Sequence, residues 1–271
     1  MRRLRKTLSR SARLGVKCIQ LEMAHLSGRE PVVTYATWRT ASTSVHHAIR
    51  AAGAWPAIKV HSLNPAYELR SADGGLVLAS AGRHVGDSVV RHHALSRGRP
   101  ARWVLLVRDP MSVALSMAAG RVVAAGVGAT RAQELRERLQ AAPTWAIDAW
   151  IEHDVLPSLA WSPLAMPFDA ERGWSEAPFR HGRVLVMRTD IPDAEKGAAL
   201  SRFLSRPIQV GRGNGSAEHG RGGTHDELRH ALASEPGVVE SALSGAAARH
   251  FWSDAQRTRM RDRWLSPRTA A

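Results

Sequence analysis

The fold is decided by the stretch PVVTYATWRTASTSVHHAIRAAG, residues 31–53. It opens with an apolar run through Tyr35 that predicts a buried β-strand. Small and basic residues follow at 36–42, and apolar side chains then recur at helical spacing from Val45 to Ala52. The stretch therefore predicts a strand, a tight turn of small residues and a helix.

A turn of this kind binds anions, because the first backbone N–H groups of a helix lack partners and lie at the positive end of the helix dipole. Arg39 adds a positive charge, and Ser42 and Thr43 add hydroxyl groups. Against the Walker pattern G-x-x-x-x-G-K-[ST], alanines replace both glycines and Ser42 replaces the lysine, which argues against an ordinary ATPase. The same residues also fit a strand, turn and helix without a ligand, in which a threonine caps the helix.

A second apolar run, Trp103 to Val107, is typical of a parallel strand that is buried on both faces. Arg108 follows it, and Asp109 and Pro110 are residues that commonly begin a helix. That helix would carry Ser112 and Ser116 on one face, four residues apart, so we expect Arg108 and Ser116 to converge. Taken singly, each of the two also fits a solvated surface position.

Between these runs, Ala57 to Val60 is predicted to be another parallel strand. His61 would then lie at its carboxyl end, the edge where open α/β sheets bind ligands. Because the pKa of imidazole is near neutrality, His61 is the candidate general base for an acceptor hydroxyl. The alternative for His61 is a structural hydrogen bond. Lys59 either faces the transferred group or points to solvent.

These segments resemble the sulfotransferases that use 3′-phosphoadenosine 5′-phosphosulfate (PAPS). The run R-T-A-S-T at 39–43 is similar to the family's 5′-phosphosulfate loop, commonly K-S-G-T-T, with arginine for the lysine and alanine for the glycine. The pattern R-D-P-x-x-x-x-x-S at 108–116 is similar to the element that holds the donor's 3′-phosphate. K-V-H at 59–61 is similar to the family's K-T-H, whose histidine acts as the base.

A closer resemblance is to bacterial sulfotransferase-like proteins of capsular polysaccharide synthesis. Further segments carry it in matching order: H-S-L at 61–63, L-V-R-D-P at 106–110, M-P-F-D-A-E-R-G-W at 166–174 and V-L-V-M-R-T-D at 184–190. The resemblance implies an α/β fold, a P-loop-type three-layer sandwich with a central, mostly parallel sheet flanked by helices. It also implies an enzyme that transfers a sulfuryl group from PAPS, as co-substrate, to a hydroxyl of a saccharide or cell-surface glycan.

On this resemblance, His61 and Arg39 are the catalytic residues. The predicted donor-binding residues lie in the loop, at the second strand end and in a late glycine-rich stretch; they are Arg39, Thr40, Ala41, Ser42, Thr43, Ser44, Arg108, Ser116, Arg212 and Asn214. The glycine-rich stretch at 210–224 either closes over the donor nucleotide or is a linker. No metal site is predicted, because no histidine, cysteine or carboxylate set has metal-ligand spacing.

The first 28 residues are basic and amphipathic, and are predicted to be an arm ahead of a single domain at 29–271. The arm either packs one edge on the domain or lies on anionic lipid. A C-terminal helical segment is predicted at 226–264. The helix predicted at 145–156 carries Asp148, Glu152 and Asp154. These residues form either a carboxylate cluster or, as we expect, a solvated acidic face.

The chain has 271 residues and 38 Lys and Arg against 24 Asp and Glu, a net charge of +14. Such charge suits phosphate and sulfate, and also nucleic acid or an anionic membrane. Nucleic acid is not expected as a partner, because no DNA- or RNA-binding motif is present. With one cysteine and no run of about 20 apolar residues, we expect a cytoplasmic protein, with peripheral contact to the inner membrane surface as an option.

Two rival functions stay open. A P-loop kinase would turn over ATP with Mg²⁺, and the missing Walker lysine disfavours it. A catalytically silent nucleotide- or polyanion-binding P-loop protein would keep the fold and lack the chemistry, and the arginine and alanine in the loop make this rival credible.

Overall fold

A computed structural model describes residues 10–37, 40, 42–66, 69–70, 76–78, 85–116, 146–211, 229–230 and 235–266. Its centre is a five-stranded sheet. The strands of this sheet are β1 (Val32–Ala36), β2 (Ala57–Val60), β5 (Ala101–Val107), β6 (Trp174–Phe179) and β7 (Gly182–Arg188). A separate antiparallel pair is formed by β3 (Leu69–Arg70) and β4 (Leu76–Leu78).

Helices occupy most of the remaining described chain. They are α1 (Arg10–Leu26), α2 (Ser42–Ala51), α3 (Val85–Val90, continued by wider π-helical turns over Arg91–Ser96), α4 (110–116), α5 (146–159), α6 (Asp193–Leu204), α7 (Pro236–Leu243), α8 (Ala246–Phe251) and α9 (Asp254–Leu265). The strands predicted at 57–60 and 103–107 and the helix predicted to begin at Pro110 are confirmed.

The order of strands in the sheet is β2-β1-β5-β7-β6. The first four strands run parallel, and β6 pairs antiparallel with β7, so the predicted mostly parallel sheet is confirmed. β1 lies between β2 and β5, with Tyr35 opposite Val60 on one side and Ala36 opposite Leu106 on the other. The chain leaves β1 toward β2 and later returns to the other side as β5. In open α/β sheets such a reversal predicts a ligand-binding crevice between the carboxyl ends of the two strands, here the β1/β5 crevice.

Alternate side chains of the central strands enter two separate apolar clusters, one on each face of the sheet. Tyr35 and Trp103 point to one face, where their buried rings pack with helices α3 and α5, and the Tyr35 ring lies 5.1 Å from that of Trp150. Val104 and Leu106 point to the other face and pack with α2 and α6. Helices therefore cover both faces, which explains why these strands are apolar throughout.

The end of β5 is tied to the C-terminal helix by the carboxylate of Asp109, which is 2% exposed. Its Oδ1 accepts the backbone N–H of Met111 at 2.9 Å, and its Oδ2 accepts the Ser112 hydroxyl at 3.0 Å, so the carboxylate caps α4. Oδ2 also accepts from the Arg263 guanidinium at 2.6 Å and from Trp264 Nε1 at 3.0 Å, both on α9. One buried carboxylate thus joins the sheet edge, the start of α4 and α9.

We predict that Asp109→Ala lowers the free energy of unfolding by roughly 3 kcal/mol, because buried donors then lose their acceptor. Urea denaturation followed by circular dichroism measures the loss. Asp254→Ala, at an exposed acidic residue in the first turn of α9, is the matched control and should change stability far less. Equal losses in the two variants would contradict this role for Asp109.

Candidate functional site

The carboxyl ends of three parallel strands bring separate parts of the sequence to one edge of the sheet. β1 leads into Thr37, β2 ends before His61, and β5 ends before Arg108. Neighbouring strands lie about 4.8 Å apart, so the segments that follow β1 and β5 leave the sheet side by side. This edge is the place where open α/β sheets bind ligands.

The predicted phosphate loop is only partly described. Arg39 and Ala41 lie outside the described residues, so their roles, and the P-loop geometry itself, stay predictions. Arg212 and Asn214, the predicted donor ligands in the glycine-rich stretch, also lie outside them.

Two buried threonines shape the described part of this loop. The Thr40 hydroxyl donates to the carbonyl oxygen of Thr37 at 2.8 Å, so Thr40, a predicted donor ligand, also stabilises the turn. The Thr37 hydroxyl is buried and has no hydrogen-bond partner among the described residues. Buried polar groups without partners are uncommon in folded proteins. Thr37 is therefore a further candidate contact that the sequence pattern did not single out.

Helix α2 begins at the end of this loop. Its first turn holds Ser42, Thr43 and Ser44 and no acidic residue, so no carboxylate in that turn offsets the positive end of the helix dipole. On β2, Lys59 Nζ donates to Thr43 Oγ1 at 3.1 Å. The Lys59 side chain therefore faces the loop and does not simply point to solvent. A neighbouring strand thus supplies a cation at the helix start, where Ser42 replaces the Walker lysine.

The pKa values of two groups near α2 are lowered, and burial is the largest cause of each shift. Burial lowers the pKa of the Lys59 ammonium group from its ordinary value. Burial and then the nearby Lys59 lower the pKa of His46 to about 4, with Arg50 and Lys17 adding to the effect. An imidazole responds in this way when it is desolvated beside cations. The surroundings of the α2 N-terminus therefore favour an anionic ligand.

His61 is held by two contacts at the end of β2. Its Nδ1 lies 2.9 Å from the carbonyl oxygen of Ala36. A carbonyl oxygen can only accept, so in the neutral ring Nδ1 carries the proton and Nε2 is the basic nitrogen. The backbone N–H of His61 donates to Asp87 Oδ1 at 3.1 Å. The contacts fix both the tautomer and the position that a general base at this edge requires.

Two buried aspartates support the chain around His61. Asp87 on α3 is 1% exposed, and burial raises its pKa to about 7. Asp154 on α5 is fully buried, and burial raises its pKa to about 6. Asp154 Oδ1 accepts the backbone N–H groups of Leu63 at 2.9 Å and Asn64 at 2.6 Å. The two carboxylates thereby anchor the segment that follows β2.

The prediction of a solvated acidic face on the helix at 145–156 is wrong for two of its three residues. Asp154 is buried, as described above, and Asp148 Oδ1 accepts the backbone N–H of Ala247 at 2.7 Å, next to the start of α8. Glu152 alone is exposed. The aspartates turn inward because backbone N–H groups distant in sequence need acceptors there.

Arg108 is half-buried directly after β5, and Ser116 is half-buried in α4. Burial lowers the pKa of the Arg108 guanidinium, while the nearby carboxylates of Asp109 and Asp190 raise it. A guanidinium stays charged at neutral pH even when its pKa falls, because its ordinary pKa lies far above neutrality. The predicted convergence of Arg108 and Ser116 on one anion stays a prediction.

A second basic feature, not singled out from the sequence, lies at the carboxyl end of β7. A cavity of about 260 Å³ is lined by Arg188, Asp190, Trp252, Gln256, Arg259, Met260 and Arg263. The Arg188 guanidinium is engaged in structure through two of its nitrogens: Nε donates to Asp190 Oδ1 at 3.1 Å and Nη1 to Gln256 Oε1 at 2.6 Å. The exposed arginines come from α9. Their sequence signal is the run D-A-Q-R-T-R-M-R-D-R-W at 254–264.

Comparisons of this chain with protein-family models, with curated proteins and with solved structures find no significant match. Among the described helices, none combines the length and the apolar character that a membrane crossing needs.

The raised pKa of Asp87 predicts a pH-dependent stability. The folded protein binds this proton more tightly than the unfolded chain does, so the contribution is fully present below about pH 4 and is lost as the pH rises through 7. We expect Asp87→Asn to flatten this decline, by on the order of 2 kcal/mol between pH 4 and pH 8. Urea midpoints across that range measure it.

Glu152→Gln, at the exposed position on α5, is the control and should follow the wild-type curve. If the Asp87→Asn curve also runs parallel to wild type, the burial of a protonated Asp87 is refuted.

Proposed function

We propose that this protein is a PAPS-dependent sulfotransferase that transfers a sulfuryl group to a hydroxyl of a saccharide or cell-surface glycan. One observation supports the proposal: β1, which leads to the start of α2, pairs with β2 on one side and with β5 on the other. β2 carries Lys59, which donates to Thr43, and ends before His61, while β5 ends before Arg108. A donor with anionic groups at two separate positions requires two anion-binding sites of this kind, which we call stations. PAPS has them at its 5′ and 3′ ends.

The first station would hold the 5′-phosphosulfate. Backbone N–H groups in the first turn of α2 and the Thr43 hydroxyl would bind its oxygens, and Lys59 and Arg39 would add positive charge. Charge grows on the bridging oxygen as the sulfur–oxygen bond breaks, and preorganised cations and N–H groups stabilise it there. The half-buried setting of Lys59 strengthens this effect, because water screens it less.

The second station would hold the 3′-phosphate. Arg108 supplies a planar pair of donors that suits phosphate, and Ser116 adds a hydroxyl. The contacts of Asp109 to Arg263 and Trp264 hold the strand end beside Arg108 in place. A 3′-phosphate site of this kind is what makes PAPS preferred over ATP.

His61 would act as the general base. The acceptor hydroxyl gives its proton to Nε2 while its oxygen attacks the sulfur, and the bond from sulfur to the 5′-phosphate oxygen breaks. The products are the sulfated acceptor and 3′-phosphoadenosine 5′-phosphate. The contact of Nδ1 with the Ala36 carbonyl keeps Nε2 as the basic nitrogen and stabilises the imidazolium that forms.

The second candidate is a catalytically silent protein that binds a nucleotide or another polyanion. The alanine at position 41 and the arginine at position 39 favour it, because the loop departs there from the family pattern. Such a protein would bind 3′-phosphoadenosine 5′-phosphate and transfer nothing.

We predict that Arg108→Ala weakens binding of 3′-phosphoadenosine 5′-phosphate by about 100-fold, because a charge-assisted phosphate contact is lost. Isothermal titration calorimetry measures the affinity. The matched control is Arg102→Ala, at the opposite end of the same strand, where Arg102 Nε donates to Glu30 at 2.9 Å. Unchanged affinity in the Arg108 variant would refute the 3′-phosphate station.

We predict that His61→Ala lowers the rate of sulfuryl transfer by about 10²–10⁴-fold and leaves affinity for 3′-phosphoadenosine 5′-phosphate within a few-fold of wild type. The assay follows radiolabelled sulfate from PAPS into a mixed cellular glycan extract. His47→Ala, at an exposed position on α2, should retain the wild-type rate. If the wild-type protein transfers no sulfate, the enzyme proposal is refuted and the catalytically silent protein is favoured. If the His61 variant keeps full activity, His61 is not the general base.

A further inference from the structure

Helix α1 packs one side on the domain and exposes apolar residues on the other. Leu14, Cys18 and Leu21 pack into the larger apolar cluster. Four other apolar side chains point to solvent: Val16, Ile19, Met23 and Leu26 are 50%, 60%, 56% and 83% exposed. Their spacing of three, four and three residues aligns them in one stripe along the helix. We call these four residues the α1 stripe.

The α1 stripe is the main exposed apolar feature of the described chain. Only two other large apolar side chains there are strongly exposed, Trp55 and Leu156, and neither belongs to α1. Single exposed apolar residues are ordinary, whereas a contiguous row of them marks a surface that contacts a partner. The chemistry of the surrounding sequence identifies that partner.

Basic residues dominate the sequence before and within the first half of α1. Residues 1–17 contain seven Arg and Lys and no Asp or Glu. Lys17 is half-buried, and burial lowers its pKa. The segment therefore combines strong positive charge with an exposed apolar row, the combination that binds anionic lipid surfaces.

We propose that α1 docks this protein on an anionic bilayer surface. The α1 stripe would lie among the upper acyl chains, and the positive charge of the sequence at 1–17 would attract the anionic headgroups. At 17 residues with one side packed on the domain, α1 would lie in the interface and not cross it. The proposal concerns membrane attachment and is independent of the proposed reaction.

The charge argues against two other partners. A second copy of the chain would bring two strongly basic segments together, and like charges repel. The stripe also covers only about three helical turns, too short a seam for a stable coiled coil by itself. A nucleic acid would neutralise the charge but leave the apolar stripe in water.

The test is flotation of the full-length protein with vesicles of phosphatidylcholine, with and without about 30% phosphatidylglycerol. We expect the protein to float with the anionic vesicles, to stay behind with the zwitterionic ones, and to lose binding as salt rises. The double variant Ile19→Gln/Met23→Gln should bind at least about tenfold more weakly, because two side chains no longer transfer from water to lipid.

The control variant Leu156→Gln removes an exposed apolar residue outside α1, 44% exposed, and should float as wild type does. Thermal unfolding of each variant checks that the fold is retained, which is expected because the changed side chains are exposed. Unaltered flotation of the Ile19→Gln/Met23→Gln protein would overturn the proposal, as would equal binding to zwitterionic vesicles. A wild-type dimer in light scattering that the double variant dissociates would overturn it in favour of a second copy.

Discussion

The rest of the structure depends on the parallel pairing of β1 with strands on both of its sides. With Tyr35 opposite Val60 and Ala36 opposite Leu106, the segments after β1, β2 and β5 all begin at one edge. Residues that are distant in sequence become neighbours there. The buried carboxylate of Asp109 then fastens α9 to the same edge, so the C-terminal segment becomes part of the wall beside Arg108.

Charge is divided between two parts of this edge: the loop before α2, which we call the front, and the buried side behind His61, which we call the back. Lys59 and the uncompensated start of α2 lie at the loop, where the pKa of His46 falls to about 4. The aspartates Asp87 and Asp154 lie behind His61, where burial raises their pKa values to about 7 and about 6. This division leaves the front positive at neutral pH while backbone N–H groups behind it stay satisfied, an arrangement suited to anionic substrates.

The sequence predicted those features that depend on local pattern. Short apolar runs predicted the strands at 57–60 and 103–107, and Asp109 with Pro110 predicted a helix start, because both signals reside within a few residues. The role of Asp154 could not be predicted, since its backbone partners lie 91 and 90 residues away. The direction in which the Lys59 side chain points could not be predicted either, because it depends on which strand lies beside β2. The α1 stripe was hidden because apolar residues occur on both sides of that helix, and only packing shows which side is covered.

The central claim is that two strand ends, one beside the start of α2 and one at Arg108, bind opposite ends of one nucleotide. A crystal structure with bound 3′-phosphoadenosine 5′-phosphate tests it most directly. The account predicts the 5′-phosphate against the first turn of α2, within hydrogen-bonding reach of Thr43, and the 3′-phosphate on Arg108. An empty crevice, or a nucleotide held at the Arg259 cavity with neither phosphate at these stations, would contradict it.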